Sequence, residues 1–298
     1  MPSVMTDTRC ESCGEDIDTA LCGTYCEGYG EWRCDECGPC GCEDCDPDES
    51  PDEDPRIHDY SYRPAQFNPK GDYPDEVLLG VELEVGGDES DIADVIEGFD
   101  SCEEHMYMKH DSSISGVEVV THPMTLAWAR QYPFSDVLRH LRVAGCRVDS
   151  GYGLHMHVSR NAFRRRGKPS SAHQMTWLLF MYRNVGDLEL LARRSSERWA
   201  SFKKPGAGEL ARKAREAHPD DRFVAVNCNN AKTLELRFFA ATLDETEFNA
   251  ALEFADASVQ YTRNLSTREV VHENAIAWRS FTEWVSRHNY PNLLAEIA

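Results

Sequence analysis

Cysteine is concentrated at one end of this 298-residue chain, where nine of the 12 cysteines fall within the first 45 residues. Eight of the nine form four close pairs: Cys10 with Cys13, Cys22 with Cys26, Cys34 with Cys37, and Cys42 with Cys45. A segment this short with almost no aliphatic residues cannot build a stable hydrophobic core, so it needs a metal or disulfides. Because two such pairs of thiolates complete a tetrahedral zinc site, we predict a zinc-binding module over residues 1–45.

The ligand pairing and the role of this module stay open. A cross-braced order would join the first pair with the third and the second with the fourth, and Cys40 can replace a neighbouring ligand. A closed four-cysteine site is most often structural, so structural zinc is the favoured role, with docking of a partner protein as the alternative. Redox catalysis by one Cys-x-x-Cys pair is disfavoured because no βαβ pattern surrounds it.

Residues 46–75 follow as an acidic, proline-containing segment. Six acidic residues and three prolines occupy positions 46–55, which predicts an extended linker. The formal charge of the whole chain is −21, and this excess of acid argues against a nucleic-acid binder. The sequence has no apolar run long enough to span a membrane and no secretory signal pattern at its start, so we expect a cytoplasmic protein without membrane contact.

Residues 76–298 have the pattern of an α+β domain. Two-residue alternation predicts strands over 78–85, 116–121, 153–159, 222–228 and 233–239. Helical spacing predicts helices over 89–98, 124–144 with a break near Pro133, 171–194, 245–264 and 276–288, and a short exposed helix within 203–219. Since the apolar positions of each strand fall on one face, we predict an antiparallel sheet with helices on its apolar side.

Ionisable residues share the other face of the predicted sheet. They are Glu82 and Glu84 in the first strand, His155 and His157 in the third, Glu235 and Arg237 in the fifth, and Asp111 and Glu118 around a turn. For any single pair, an ordinary solvated face is the simplest explanation. Two carboxylates on one face repel each other unless a cation lies between them, so the pairs together predict a metal site. Carboxylate oxygens with one or two imidazoles suit Mg²⁺ or Mn²⁺.

Four segments of the chain together resemble the amidoligase family, part of the carboxylate–amine ligase superfamily of glutamine synthetase and glutamate–cysteine ligase. They are GVELEV (80–85), KHDSSISGVEVVTHP (109–123), GLHMHVSR (153–160) and RFVAVNCNNAKTLELRFFAAT (222–242). The resemblance implies a curved antiparallel sheet, backed by helices, with metal ligands on its concave side. It also implies that ATP phosphorylates a carboxylate and that an amine attacks the resulting acyl phosphate. The chain has no glycine-rich phosphate loop, so metals and arginines would have to hold the phosphates.

The same resemblance assigns roles to single residues. It implies that Glu84, Asp111 and Glu118 hold one Mg²⁺ or Mn²⁺. It implies that Glu82, His155 and Glu235 hold a second. Arg237 and Arg222 correspond to arginines that contact phosphate or substrate, and His157 corresponds to a residue near the nucleotide or substrate.

The sequence therefore predicts an ATP- and Mg²⁺-dependent amide-forming ligase with a structural zinc module. Its partners would be ATP and an amino-acid, peptide or protein substrate that supplies a carboxylate and an amine, and the zinc module is a candidate site for a protein partner. Two other functions fit the same features. One is a non-enzymatic zinc-containing interaction protein, and the other is a metal-dependent hydrolase or phosphotransferase that uses the same acidic residues.

Overall fold

The computed structural model describes residues 54–298 except 73–75, 112–113, 196–199, 204–205, 216–223 and 273. Of the first 53 residues it describes four short strands, Thr8–Arg9 antiparallel to Asp16–Ile17 and Thr24–Cys26 antiparallel to Glu31–Arg33. The side chains of the eight cysteines expected to bind zinc lie outside the described residues. The zinc module therefore stays a prediction.

The chain divides into two compact units, residues 1–53 and residues 54–298. The second unit begins earlier than the sequence predicts, because residues 54–72 pack on it and Ile57 is buried. The linker expected over residues 46–75 therefore does not extend to residue 75, because the second unit begins at residue 54. The assignment of a module and a catalytic domain to the two units remains a prediction.

Two residues, Arg56 and His58, show how residues 54–72 are attached to the rest of the second unit. Arg56 forms ion pairs with Asp94 and Glu97, at 2.7 and 2.8 Å. The backbone of His58 forms a bridge with Lys109 at the edge of the main sheet. Charge pairing and edge hydrogen bonds thus order a segment whose composition alone predicts an extended chain.

One seven-stranded sheet, in which every pairing is antiparallel, forms the centre of the second unit. The strands of this unit are β1 (Leu78–Val85), β2 (Met106–His110), β3 (Val117–Thr121), β4 (Met124–Thr125), β5 (Gly153–Ser159), β6 (Arg164–Arg165), β7 (Lys168–Pro169), β8 (Val226–Asn227) and β9 (Thr233–Ala240). The order across the sheet is β8-β9-β5-β1-β3-β2, with β4 paired to β1, while β6 and β7 form a separate hairpin. The antiparallel sheet predicted from the alternation is confirmed.

Ten helices are described in the second unit. They are α1 (Glu89–Phe99), α2 (Leu126–Ala129), α3 (Phe134–Val143), α4 (Ser171–Arg183), α5 (Val185–Ala192), α6 (Ala207–Lys213), α7 (Glu245–Arg263), α8 (Thr267–His272), α9 (Trp278–Val285) and α10 (Pro291–Ile297). Strand β2 and helices α8 and α10 were not predicted. Of the strand predicted over 222–228, the structure describes Val226–Asn227, and residues 222–223 lie outside the described residues.

The helix predicted over 171–194 is two helices, α4 and α5, that meet at Asn184. The amide nitrogen of this buried side chain donates hydrogen bonds to the carbonyl oxygens of Phe180 and Ile276. Its oxygen accepts a hydrogen bond from the backbone nitrogen of Trp278, 2.9 Å away. Asn184 therefore satisfies backbone groups at the break and at the start of α9, an interaction that helical periodicity cannot reveal.

The segment expected to form a broken helix over 124–144 begins instead with strand β4. The Thr125 hydroxyl then accepts a hydrogen bond from the backbone nitrogen of Trp128 and so caps the short helix α2. Helix α3 begins directly after Pro133, as the sequence predicts, because proline lacks the N–H that a helix interior requires.

The apolar face of the sheet forms the core with the helices. Leu79, Val81 and Leu83 of β1 are buried, and α7 packs against β1 and β5. The ring of Phe254 in α7 lies 6.2 Å from that of Phe238 in β9. Since successive strand residues point to opposite faces, burial of this face turns the intervening polar residues to the other. In the described part of the chain, no helix is both long enough and apolar enough to cross a membrane.

Candidate metal and phosphate site

Strand β1 places Glu82 and Glu84 on the polar face of the sheet, between two strands that bring further ionisable groups beside them. Glu82 lies opposite His155 of β5, and Glu84 lies opposite Glu118 of β3. Directly opposed residues of antiparallel strands have Cβ atoms about 4.5–5.5 Å apart. Three adjacent strands therefore bring four of the predicted site residues into contact distance.

Glu84, Asp111 and Glu118 form the first group of potential metal ligands. One carboxylate oxygen of each lies within 4.8 Å of the others. Glu84 and Glu118 are buried, and Asp111 is partly buried just after β2. The structure thus brings together the three residues that the family resemblance implied for the first cation.

Glu82 belongs to two further groups, one with His157 and Glu235 and the other with Glu118 and His155. Nε2 of His157 lies 3.2 Å from Oε1 of Glu82. Nδ1 of His155 lies 3.4 Å from Oε2 of Glu82 and 3.7 Å from Oε1 of Glu235. The resemblance implied Glu82, His155 and Glu235 for the second cation. The structure brings these three close together, and it places His157 equally well to join Glu82 and Glu235.

The carboxylates of the site are affected differently by burial and by their neighbours. Burial, reinforced by the charge of Glu82, raises the pKa of Glu118 to about 7. Burial also raises the pKa of Glu84. For Glu82 burial acts in the same direction, but the charges of His157 and His155 outweigh it and hold its pKa well below the usual value. Buried carboxylates that lie close together therefore oppose one another's ionisation. A cation bound among them would reduce this repulsion.

The neighbouring carboxylates raise the pKa values of the two imidazoles. Burial acts to lower the pKa of His157, but Glu82 outweighs it and raises the pKa to about 9. Burial also acts to lower the pKa of His155, but the hydrogen bond to Glu82 and the charges of Glu235 and Glu84 together outweigh it and raise the pKa. The neighbouring carboxylates thus favour the protonated form of both imidazoles, and a bound cation would take over the role of that positive charge.

The chemistry of this donor set fits a hard divalent cation. Five carboxylates and two imidazoles take part in the three groups, and none of the groups found among the described residues contains a thiol. Oxygen-rich sites of this composition suit Mg²⁺ and Mn²⁺. Because Glu82 and Glu118 each belong to two groups, the site has donors for more than one cation.

Lys109 contributes a positive charge at the β2 side of the site. Its Nζ lies 2.8 Å from Oε2 of Glu118, the residue opposite it on β3. Burial acts to lower the pKa of Lys109, but Glu82 and Glu118 outweigh it and raise the pKa. This lysine is therefore charged at neutral pH. No pattern in the sequence distinguished it from other lysines.

Two arginines border the acidic groups. Arg237, on β9, donates a hydrogen bond through Nη1 to Oε1 of Glu235. Arg194, just after α5, donates a 3.4 Å hydrogen bond to the carbonyl oxygen of Phe239. Burial lowers the pKa of Arg194, and the charge of Glu84 acts in the opposite direction. The Nε–H groups of both arginines are buried without a hydrogen-bond partner. A planar guanidinium with an unpaired N–H is suited to phosphate or carboxylate oxygens.

Gly153 leaves space that both Arg194 and His155 occupy. A Cβ atom at this position would be 2.7 Å from Nη1 of Arg194 and 2.8 Å from Nε2 of His155. The backbone N–H of Gly153 also donates to Oε2 of Glu84. The glycine that opens the GLHMHVSR segment is therefore the sequence signal that marks a crowded position, although it does not reveal which side chain approaches it.

Two other residues complete the description. The side chain of Asn227 donates a 2.7 Å hydrogen bond to Oε2 of Glu235 and fixes that carboxylate. Arg222 lies outside the described residues, so its phosphate-binding role stays a prediction.

No family model matches the sequence, and no curated protein matches it either. Several chains of solved structures are similar to this chain, among them the following two. One is GmaS, a gamma-glutamylmethylamide synthetase, in its apo form, with 15% identity and a TM-score of 0.39 over 75% of this chain and 65% of that one. The other is a chain from the complex between the prokaryotic ubiquitin-like protein Pup and its ligase PafA, with 14% identity and a TM-score of 0.33 over 63% of this chain and 46% of that one.

This chain thus spans 65% and 46% of the lengths of the two solved chains that it matches. The likeness is distant at these values, so the residues of the site are the basis for assigning a function.

Proposed function

We propose that this protein is an ATP- and Mg²⁺-dependent carboxylate–amine ligase that forms a peptide or isopeptide bond through an acyl phosphate. The observation that supports this most is the convergence of three potential metal-binding groups on one face of the sheet. Arg194 and Arg237 border these groups with unpaired N–H donors. Several cations with adjacent arginines form a suitable clamp for a phosphoryl group in transfer.

The chemistry requires two substitutions in sequence. A carboxylate resists attack by an amine, so one of its oxygens first attacks the γ-phosphorus of ATP, and the bond to the β,γ-bridging oxygen breaks to release ADP. The amine nitrogen then attacks the acyl carbon of the mixed anhydride. Phosphate leaves with the electron pair of the carbon–oxygen bond, and the nitrogen loses a proton as the amide forms.

Each set of residues has a distinct part in this proposal. Glu84, Asp111 and Glu118 would hold one divalent cation, and Glu82 and Glu235 with His155 or His157 would hold another. Such cations, when bound, would neutralise the charge that accumulates as an anionic carboxylate meets an anionic phosphate.

The arginines would act on the oxygens of the group being transferred. Arg237 and Arg194 would donate hydrogen bonds to phosphate oxygens as negative charge moves between them, and Arg222 would be a third donor of this kind. The imidazole not used by the cation would hold the nucleotide or the substrate in place. We expect that imidazole to be His157, the residue that the family resemblance places near the nucleotide or substrate.

The substrates are proposed by chemical class. An amino acid, a peptide or a protein side chain can supply either the carboxylate or the amine. The cysteine-rich first unit, with structural zinc, would then be a docking module for a protein substrate or partner. A free amino acid would need no such module, so a macromolecular substrate fits the whole chain better.

A direct test measures ADP release by the full chain with ATP, Mg²⁺ and a panel of amino acids and peptides. We expect release that depends on both a carboxylate and an amine, and we expect Glu82→Gln to abolish it while the far-ultraviolet circular dichroism is unchanged. Glu283→Gln is the matched control, because Glu283 is exposed on α9 and pairs with Arg279 one helical turn away.

The alternatives predict different results from the same assay. Phosphate release that no amine stimulates would favour a hydrolase or phosphotransferase. Absence of both nucleotide binding and turnover would contradict an ATP-dependent enzyme and leave an interaction protein. Normal turnover by Glu82→Gln would show that the site has been placed wrongly.

A further inference from the structure

Lys109 occupies an unusual place for a lysine, because it contacts a residue that two of the metal-binding groups share. Glu118 belongs both to the group with Glu84 and Asp111 and to the group with Glu82 and His155. Nζ of Lys109 lies 2.8 Å from Oε2 of Glu118. The lysine side chain is 19% exposed and the glutamate side chain 3% exposed, so bulk water screens this pair only weakly.

The backbone around Lys109 fixes this arrangement. Lys109 lies on β2, directly opposite Glu118 on β3. On its other side, the N–H of His58 donates to the carbonyl oxygen of Met108, and the N–H of His110 donates to the carbonyl oxygen of His58. A strand hydrogen-bonded on both edges holds the backbone of Lys109 opposite Glu118, so its ammonium group stays within reach of the carboxylate that a cation in this site would share.

Charge counting shows what the lysine does to the site. Glu84, Asp111 and Glu118 carry three negative charges when ionised, and Lys109 reduces the sum to two. A divalent cation matches that sum, whereas a trivalent cation would exceed it. Without the lysine the same carboxylates would favour cations of higher charge and would bind a divalent cation more tightly.

We propose that Lys109 is a built-in counter-cation of the metal site. It holds Glu118 in place when no metal is bound, and it lowers and tunes the affinity of the Glu84, Asp111 and Glu118 group so that the site prefers divalent ions and exchanges them readily. This inference rests on the proposed metal-dependent function and assigns Lys109 a positioning role and a role in metal selectivity. It does not place Lys109 among the reacting groups.

The test is a binding measurement that does not depend on turnover. Free Mn²⁺ is titrated by electron paramagnetic resonance against the full chain, and Tb³⁺ is titrated by its sensitised luminescence, for the wild type and Lys109→Met. Thiolates are poor ligands for Mn²⁺, and any ion that the acidic residues of the first unit bind is bound alike by the wild type and the variants. We expect Lys109→Met to bind Mn²⁺ at least tenfold more tightly than the wild type. Its affinity for Tb³⁺ should increase by a larger factor.

Lys70→Met is the matched control, because Lys70 makes an ion pair of the same length, 2.8 Å, with Glu104 rather than with a metal-binding group. It should bind both ions as the wild type does. Lys109→Arg keeps the charge and should remain within about threefold of the wild type, a result that loss of packing alone would not produce. If Lys109→Met fails to fold, Lys109→Gln, which keeps a hydrogen-bond donor without the charge, must show the same gain.

The possible results separate the inference from the proposed function. Unchanged or weaker Mn²⁺ binding by the uncharged variants, with a wild type that binds Mn²⁺, overturns the role of Lys109 and leaves the ligase proposal intact. A wild type that binds no Mn²⁺ overturns both. Tighter binding by the uncharged variants, but not by Lys109→Arg or Lys70→Met, supports the inference.

Discussion

Glu84 and Glu118 face each other across neighbouring antiparallel strands, and carboxylate oxygens of the two residues lie within 4.8 Å of one another in a buried environment. Two like charges in this position oppose folding unless a positive charge lies between them. The folded state would therefore be more stable with a cation bound between these two carboxylates.

A divalent cation should therefore raise the melting temperature of the full chain. At a hundredfold excess over the dissociation constant, binding to the folded state alone adds about 2.7 kcal/mol, which corresponds to roughly 5–10 °C for a domain of this size. Glu84→Gln keeps a side-chain acceptor for the N–H of Gly153 but removes the charge, so it should lose most of the rise caused by Mn²⁺. Calorimetry with Mn²⁺ and with EDTA measures the melting temperatures of the wild type and of Glu84→Gln. An equal rise in melting temperature in the two proteins would contradict this placement of the cation.

Gly153→Ala should impair the site without unfolding the protein. The added methyl group would meet Nη1 of Arg194 and Nε2 of His155 at less than 3 Å, and both groups would have to move. We expect the rate of ADP release to fall at least tenfold with little change in melting temperature. Gly98→Ala is the control, since a Cβ at that position in α1 meets no atom within 4 Å and should stabilise the helix slightly.

Arg194→Ala tests the phosphate role of an arginine that no sequence motif marks. Removal of a donor to a group that gains charge in the transition state costs about 10²–10³ in rate. Arg194→Lys should recover only part of the loss, because a point charge cannot replace a planar fork. Steady-state rates for both variants are compared with Arg139→Ala, an exposed arginine of α3 whose loss should be neutral. A rate within twofold of the wild type for Arg194→Ala would exclude it from the site.

The sheet and most of its polar face could be predicted because both follow from local alternation. The two-residue period of LLGVELEV places Glu82 and Glu84 on one face whatever the rest of the chain does, and the observed strand, Leu78–Val85, has the predicted limits. The pairing of His155 with Glu82 and of Glu118 with Glu84 depends on strand order instead. Alternation within single strands carries no information on that order, and only the family resemblance indicated which residues would meet.

Other features could not be predicted from local sequence patterns, because contacts between residues far apart in the chain determine them. Arg194 reaches the site from the end of α5, where no periodic pattern distinguishes it from neighbouring arginines. Strand β2 was missed because its first three residues, Met106, Tyr107 and Met108, are all buried, so it lacks the alternation of a strand with one solvated face. Asn184 splits a predicted helix through bonds to residues about 90 positions away.

Stability should also fall in mild acid because of a histidine remote from the site. His173 is fully buried between α4 and α7, and burial lowers its pKa to about 4 against 6.5 for the free side chain. The unfolded chain takes up this proton near pH 6.5 but the folded one resists it until about pH 4. The contribution of His173 is therefore complete above pH 6.5 and is lost as the pH falls, by on the order of 3 kcal/mol between those limits.

Urea denaturation at a series of pH values measures this effect. His173→Gln should flatten the fall in unfolding free energy between pH 6.5 and 4, whereas His140→Gln, at an exposed position of α3, should leave it unchanged. A slope that persists in His173→Gln would assign the acid sensitivity to other groups.

The packing of α10 on α7 should depend on the ion pair between Arg130 and the buried carboxylate of Glu253. Glu253 is 1% exposed and accepts hydrogen bonds from Arg130, at 2.9 Å, and from the backbone nitrogen of Leu293, also at 2.9 Å. Arg130→Met would leave a buried carboxylate without its counter-charge, at a cost of about 2 kcal/mol. The double variant Arg130→Met with Glu253→Gln should be more stable than Arg130→Met alone, because a neutral amide keeps an acceptor for Leu293 without needing a cation. Chemical denaturation of the two single variants and the double variant gives the coupling energy, and a value near zero would show that the pair contributes only through its separate hydrogen bonds.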